Sequence, residues 1–276
     1  MSSEDGNHQR APPRLYKYRS LATGQDLQWV CDTISSHRLF WPSPLLFNDP
    51  FDCVPAHIYR GTRAEHERNA RRSAQVFGRG KSRLQRRMMK RQALRRKAPE
   101  IVETMEAANT KMLEGVGVCS LSEARDNLLM WAHYGSAHSG LCLGFETSIA
   151  AIDFACAFPV QYSEERPVIN LINRAEGRGL IDKLLLTKSS HWAYEKEWRM
   201  IAHGIGDRLR TFPATALREI IFGARISPAA EEAVMAAIGK SRSKPRLFRA
   251  RPNRDKFYLE ITELPPENLT RPDSPR

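Results

Sequence analysis

The sequence lacks a long hydrophobic run. None of its 276 residues belong to an apolar stretch of about 18, the length that a helix needs to cross a membrane. The first residues, MSSEDGNHQRAPPR, are polar and contain no apolar segment typical of a secretory signal. We therefore expect a cytoplasmic protein without a transmembrane segment. Its apolar fraction of 41% is still sufficient for an ordinary globular core.

Cysteine is scarce and irregularly spaced. The five cysteines lie at positions 31, 53, 119, 142 and 156, so their number is odd and no C-x-x-C pair occurs. This spacing argues against a zinc cluster and against a disulfide framework. The sequence accordingly predicts no structural metal, and the thiols are expected to behave as small buried apolar groups.

Several catalytic signatures are also missing. The sequence contains no H-E-x-x-H, G-x-S-x-G or G-x-x-x-x-G-K-[ST] motif, and no G-x-G-x-x-G follows a predicted strand. These absences argue against a zinc protease, an α/β-hydrolase, a P-loop NTPase and a Rossmann dinucleotide-binding domain.

Positive charge, by contrast, is abundant and concentrated in one segment. Residues 60–97 hold 15 Lys and Arg against two acids, which accounts for the whole net charge of +12. Such a segment can contact a nucleic-acid backbone, lie on an anionic membrane surface or dock an acidic protein, although a solvated charge run is the simpler alternative. Phe77 is the only aromatic residue within it, so base stacking is not expected there. The candidate nucleic-acid-binding residues are Arg71, Arg72, Arg83, Arg86, Arg87, Lys90, Arg91, Arg95 and Arg96.

The periodicity of the chain predicts an α+β fold. Alternating segments such as RLYKYR and EWRMIAHG predict strands of a mixed, mostly antiparallel, split sheet flanked by helices. We expect one domain over residues 14–262, with a basic helical insertion of two helices at 60–112. Disordered tails are expected at 1–13 and 263–276.

Two glutamates stand one residue apart in HWAYEKEWRMI, surrounded by aromatic residues. If the strand has begun at Glu195, then Glu195 and Glu197 point to the same side. The pair is explained either by an ion pair with Arg199, Lys196 or a first-strand arginine, or by a substrate in a concave site.

Two further groups have both a structural and a catalytic interpretation. The motif FNDPFD predicts a turn closed by aspartate side chains, while Asp49 and Asp52 with an additional glutamate would suit Mg²⁺ in a nuclease. His133 in WAHYG is either a hydrogen-bonded residue at a helix end or a general base facing a cleft.

Several distinctive blocks follow one another along the chain. They are LYKYRSL, FNDPFD, CSLSEARDNLLMWAHYGSAHSGLCLGF and YEKEWRMI, followed by REIIFGARIS. This wording resembles a large bacterial family known as domain of unknown function 2971, over roughly residues 14–260. The family name implies no activity.

Three shorter blocks, LYKYRS, CSLSE and YEKEWR, resemble those of ADP-ribosyltransferases. The resemblance implies an NAD-consuming enzyme, such as a toxin or a phage-defence effector, that acts on a nucleic acid or an acidic target. Glu197 would stabilise the cation-like ribose and Glu195 would orient or deprotonate the acceptor. The first position of the family motif is Arg or His, whereas this chain has Lys17. The implied NAD-binding residues are Lys17, Tyr18, Arg19, Ser120, Ser122, Trp131 and Tyr134.

Two functions therefore follow from the sequence. In one, the chain is an ADP-ribosyltransferase-like enzyme with NAD as its substrate. In the other, it is a nucleic-acid-binding protein or a metal-dependent nuclease in which the glutamate pair is structural. The two functions require different geometries. The enzyme requires one cleft that is lined by Lys17, Ser120, Tyr134 and Glu197.

Overall fold

The structure, a computed structural model, describes residues 10–147, 156–172 and 183–265. The predicted tails at 1–13 and 263–276 lie for the most part outside these residues, although the last strand extends to Glu263. The described strands are β1 Arg14–Arg19, β2 Arg38–Trp41, β3 Ala56–Ile58, β4 Val116–Ser122, β5 Leu141–Glu146, β6 Phe158–Pro159, β7 Gln161–Ser163, β8 Val168–Asn170, β9 Thr187–Ser189, β10 Glu197–His203, β11 Arg208–Thr211, β12 Leu217–Phe222, β13 Arg246–Pro252 and β14 Leu259–Glu263. The described helices are α1 Gly24–Ser36, α2 Arg63–Val76, α3 Arg83–Arg95, α4 Ala98–Glu114, α5 Leu128–His133 and α6 Pro228–Lys240.

The chain forms two compact units. The first comprises Met1–Ser43, Val116–Val160 and Ser190–Arg276, and the second comprises Pro44–Gly115 and Gln161–Ser189. The segment predicted as a basic insertion, residues 60–112, lies entirely within the second unit.

The first unit is built on one large sheet. Within the described residues this sheet has eight strands in the order β14-β13-β12-β5-β1-β4-β10-β6. All neighbouring strands are antiparallel except β12 and β13, which are parallel and are connected through α6. The predicted α+β class with a mixed, mostly antiparallel sheet flanked by helices is therefore confirmed.

Each face of this sheet has its own core. Because side chains alternate along a strand, Leu15 of β1 packs on one face with Val30 of α1 and Val234 of α6. Tyr16 and its neighbours pack on the other face, where α5 contributes Trp131. The two faces matter for function, since residues one apart in β1 belong to different environments.

The second unit holds helices α2, α3 and α4 and two short parallel strand pairs, β3–β8 and β7–β9. Helix α2 begins with a capping box in which Thr62 and Glu65 bond each other's backbone amides. Helix α3 begins in the same way at Ser82 with Gln85. The turn between α2 and α3 contains Gly80, whose φ of +78° favours glycine.

The basic segment and its continuation form three helices, where the sequence predicted two. Helix α3 ends at Arg95, and Arg96 adopts an extended conformation before α4 begins. Pro99 explains the break, because its ring would clash with the carbonyl of residue 95 in a continuous helix and it has no N–H to donate. Among the described helices, none combines the length and the apolar character that a bilayer crossing requires.

Candidate functional site

One row of polar residues crosses a face of the sheet. In the strand register Tyr16 of β1 lies opposite Ser122 of β4, and Ser122 lies opposite Glu197 of β10. Arg199 lies opposite Ser120, one step further along the same two strands. The sheet thus brings the serines of CSLSE and a glutamate of YEKEWR together on neighbouring strands.

Glu197 and Arg199 form a buried ion pair. The Nε of Arg199 donates to Oε1 of Glu197 at 2.8 Å, and Nη2 donates to Oε2 at 2.9 Å, which is a two-bonded geometry. Arg199 is completely buried and Glu197 is 5% exposed. The carboxylate charge of Glu197 is therefore balanced within the fold.

Glu195 is held in a different way. It ends a 3₁₀ helix, Ser190–Glu195, and Lys196 then adopts a left-handed φ of +44° before β10 begins at Glu197. The hydroxyl of Ser122 donates to the Glu195 carbonyl at 2.5 Å. The hydroxyl of Tyr134 donates to Oε1 of Glu195 at 2.7 Å. The strand has not begun at Glu195, so the two glutamates are not successive residues on one face of a strand.

Lys17 and Arg19 lie on the opposite face of the sheet from Glu197. Tyr16 shares a face with Ser122 and Glu197, and alternation along β1 therefore directs Lys17 to the other face. There its Nζ donates to the backbone carbonyl of Ser120 at 2.8 Å. Burial lowers the pKa of the Lys17 amine and also that of Arg19. The cations and the carboxylates implied by the ADP-ribosyltransferase resemblance thus lie on opposite faces of the sheet, although Lys17 is close enough to Glu197 for an electrostatic interaction.

Tyr18 and Trp131 belong to the core. Their rings meet edge to face with centroids 5.2 Å apart, and Trp131 is fully buried. The hydroxyl of Tyr18 donates to the carbonyl of Ala124 at 2.8 Å, and burial raises its pKa well above the ordinary value. The indole N–H of Trp131 donates to the carbonyl of Arg125 at 3.0 Å. Both rings stabilise the fold around α5, and neither presents an open stacking surface.

A second buried carboxylate on this face was not predicted. Glu219 of β12 accepts a hydrogen bond from the Tyr16 hydroxyl at 3.2 Å and another from Arg125 at 3.2 Å. Burial, followed by the negative charge of Glu219, raises the pKa of Tyr16 to about 12. The ring of Tyr16 lies against Gly144, where a Cβ atom would come within 3.0 Å of it. The sequence signal was a charged residue inside the apolar strand LREIIF.

The aspartates of FNDPFD have structural roles. Asp49 accepts a hydrogen bond from the backbone N–H of Phe51 at 2.9 Å, which closes the predicted turn. Asp52 is buried and forms an ion pair with Lys188 at 3.6 Å. Across the described residues, no three His, Cys, Asp or Glu side chains converge to hold a metal ion. The nuclease interpretation gains no support from this geometry.

His133 lies at the surface at the end of α5. Its ring centroid is 6.4 Å from that of Tyr134 and 6.3 Å from that of Tyr194. Trp192 extends this aromatic group at 6.0 Å from Tyr194. His133 thus lies at a helix end, as the first interpretation has it, and its described contacts are with aromatic rings.

The basic segment displays its charge outward. Of the 15 Lys and Arg between residues 60 and 97, 14 are exposed and Lys90 is half-buried. Helix α2 buries Ala70 and Ala74, one turn apart, and so directs Arg71 and Arg72 away from its packed face. Helix α3 has no buried residue. The nine residues predicted to bind nucleic acid are therefore available at the surface of this unit, Lys90 only in part.

One acidic residue moderates this charge. Glu67 lies 3.8 Å from Arg63, 3.9 Å from Arg71 and 4.0 Å from Lys90. A single carboxylate shared by three cations leaves a large positive excess. Solvent-exposed pairs of this kind contribute little to stability, so they do not explain why the charge is there.

Comparison with known proteins matches part of the chain to one family and indicates no activity. Residues 130–200 match the model of a family described as a protein of unknown function, DUF2971. This match supports the predicted family over these residues, and the wider resemblance over roughly residues 14–260 stays a prediction. Neither curated proteins nor solved structures gave a match to the chain, and the resemblance to ADP-ribosyltransferases stays a prediction.

The DUF2971 segment contains Tyr134, Glu195, Glu197 and Arg199. The hydrogen bonds and ion pair described above are therefore part of the region that the family model covers. The basic helices α2 and α3 lie outside that region. The two candidate sites of the chain thus differ in whether the DUF2971 match includes them.

Proposed function

We propose that this protein binds nucleic acid, with α2 and α3 contacting the phosphate backbone. The observation that carries the proposal is the exposure of 14 of the 15 Lys and Arg between residues 60 and 97. Cations that neutralise phosphates release condensed counterions, and this release drives binding without regard to base sequence. An arginine that served only the fold would be expected to have a carboxylate of its own, whereas this segment contains two acids.

The arrangement of α3 favours a backbone contact. Arg83, Arg87 and Arg91 are four residues apart, so they form one row along an exposed side of the helix. Guanidinium groups bind phosphate through two parallel hydrogen bonds, which makes such a row suited to successive phosphates. Base stacking is not part of this contact, because Phe77 is the only aromatic residue in the segment.

We expect binding to a duplex of 25 base pairs to weaken steeply with salt. A protein that makes six to ten phosphate contacts loses roughly 10³- to 10⁵-fold in affinity between 50 and 200 mM salt. Changing Arg83, Arg87 and Arg91 to Glu should lower the salt dependence by about one unit of slope per lost contact and weaken binding to all sequences alike. Fluorescence anisotropy at several salt concentrations measures both effects.

The matched control changes Lys111, Arg208 and Arg225 to Glu. These three cations are exposed and lie on other elements, so the control alters the net charge by the same amount. Equal weakening in the two variants would show a general charge effect and contradict the proposal. Tight binding to an acidic polypeptide such as polyglutamate, with weak binding to the duplex, would favour an acidic protein partner instead.

We propose NAD-consuming ADP-ribosyl transfer as a second candidate function. It is favoured by the register that sets Ser122 opposite Glu197 and by the Ser122 hydrogen bond to Glu195. It is disfavoured by the position of Lys17 on the opposite face and by the ion pair of Glu197 with Arg199. The nucleic-acid proposal ranks first for this reason.

If the second function is correct, purified protein releases nicotinamide from NAD and the Glu197→Gln variant does not. Glu219→Gln is the matched control, because Glu219 is also buried on this face and paired with an arginine. Release that survives in Glu219→Gln and disappears in Glu197→Gln, with both variants folded by circular dichroism, supports catalysis by Glu197. The absence of release from the wild-type protein, with and without nucleic acid, would remove this candidate.

A further inference from the structure

A second basic segment lies near the end of the described chain. Residues 240–258 contain eight Lys and Arg and one acid, Asp255. Most of them lie on the hairpin of β13 and β14, at the edge of the large sheet, whose tip is formed by residues 253–258. This hairpin is separate from the basic helices and belongs to the other unit.

The tip of the hairpin has a defined conformation. The side-chain oxygen of Asn253 accepts hydrogen bonds from the backbone N–H groups of Asp255 at 2.8 Å and of Lys256 at 2.7 Å. Its amide nitrogen donates to the Tyr258 hydroxyl at 2.9 Å and to Glu260 at 2.5 Å. One asparagine therefore closes the loop from both sides and fixes what the tip presents.

The tip presents one fully exposed aromatic ring, a second that is partly exposed, and several cations. Phe257 is fully exposed at 101% and Tyr258 is 45% exposed. Further back on the hairpin, Arg246 is paired with Glu263 and Arg249 with Glu231. The cations nearest the tip form no ion pair with any residue that the structure describes, and they are exposed: Arg251, Arg254 and Lys256.

An ordered loop that holds a phenylalanine ring in water gains nothing for the fold from that ring. Aromatic rings beside cations are the arrangement with which proteins bind single-stranded nucleic acid, since the ring stacks on a base and the cations meet the flanking phosphates. A lipid surface is the alternative. It is less well matched, because a single ring inserts little apolar area and Asp255 would be repelled by anionic headgroups.

We propose that the β13–β14 tip binds an unpaired nucleotide, with Phe257 stacked on the base and with Arg254 and Lys256 contacting adjacent phosphates. The proposal goes beyond the backbone contacts of α2 and α3. Either contact can exist without the other, and the experiment separates them.

The test measures binding of the full chain to a thymidine-rich single strand that contains one 2-aminopurine, and to a blunt duplex. Phe257→Ala should weaken single-strand binding about 5- to 150-fold, the range observed for loss of one stacked base, and abolish the quenching of 2-aminopurine. Duplex binding should change little. Trp29→Ala is the control, because Trp29 is also an exposed ring, at 64%, but lies on α1.

The outcomes distinguish the two proposals. The hairpin proposal is overturned if Phe257→Ala leaves single-strand binding and the quenching of 2-aminopurine unchanged. This holds even if changing Arg83, Arg87 and Arg91 to Glu abolishes duplex binding. An equal loss in Trp29→Ala also overturns it. So does binding to vesicles of phosphatidylserine and phosphatidylcholine that requires Phe257 while single-strand binding does not. If single-strand binding is lost only in Phe257→Ala, and the α3 variant still binds both the single strand and the duplex, the result supports the hairpin proposal and contradicts the proposed role of α2 and α3.

Discussion

Replacing Arg199 with Met is expected to lower the free energy of unfolding by about 3–5 kcal/mol, the cost of breaking a buried ion pair by removing one of its members. Arg199 is fully buried and makes two hydrogen bonds to Glu197. In the variant, the carboxylate of Glu197 keeps its charge but loses both bonds. Urea unfolding followed by circular dichroism measures the change.

Two further variants sharpen this result. Arg218→Met removes an exposed ion pair with Glu146, so it should cost no more than about 1 kcal/mol. The double variant Glu197→Leu with Arg199→Met removes both charges and should recover part of the lost stability, because neither member of the pair is then a buried charge. A double variant that is less stable than Arg199→Met alone would contradict the importance of the ion pair.

The pair also bears on function. If Glu197 were held in place for a substrate alone, Arg199→Met would change activity and leave the unfolding of the free protein nearly unchanged. The expected loss of stability therefore tests the structural interpretation that the sequence left open. It also shows why activity measurements on Glu197 variants need the Glu219→Gln control.

Trp131→Ala is expected to cost about 3–5 kcal/mol of unfolding free energy, as large-to-small substitutions of buried aromatic residues do. The change removes the edge-to-face contact with Tyr18 and the hydrogen bond to the Arg125 carbonyl. It also removes the stacking contact with His138, whose ring centroid lies 6.5 Å from that of Trp131. The same urea titration measures it.

Trp29→Ala provides the comparison, since an indole that is 64% exposed buries little area and its loss should change stability by about 0.5 kcal/mol or less. The resemblance to ADP-ribosyltransferases assigned Trp131 to NAD binding. A Trp131→Ala variant as stable as the wild-type protein would show that the ring is available to a ligand. A large loss of stability assigns it to the core.

Much of the secondary structure was predictable from local patterns. Alternation in RLYKYR gave β1 at its observed bounds, and Ser227 before Pro228 marked the start of α6. The concentration of charge in α3 was visible in the sequence as well, because it is a matter of composition. These features depend on residues close together in the chain, which is why sequence alone determined them. The thin apolar stripe of Leu84, Met88 and Leu94 instead predicted a packed side for α3, and the structure leaves these three residues exposed.

Contacts between strands that are distant in the chain could not be predicted from local sequence patterns. The blocks LYKYRS, CSLSE and YEKEWR were expected in one cleft, but strand register decides which face each side chain occupies. A shift of one residue would exchange Lys17 with Tyr16 on the face that carries Glu197. Neither the spacing of the motifs nor their composition contains that register.

The sequence by itself determined the α+β class and the concentration of cations in residues 60–97, since local periodicity specifies the first and composition the second. Only the tertiary structure decided the partner of Glu197, the separation of Lys17 from it and the exposure of Phe257 at the hairpin tip. The physical reason is that ion pairs, buried rings and presented rings depend on which strands lie side by side. That order is set by the packing of the whole sheet, in which residues more than 70 positions apart, such as Ser122 and Glu195, become neighbours.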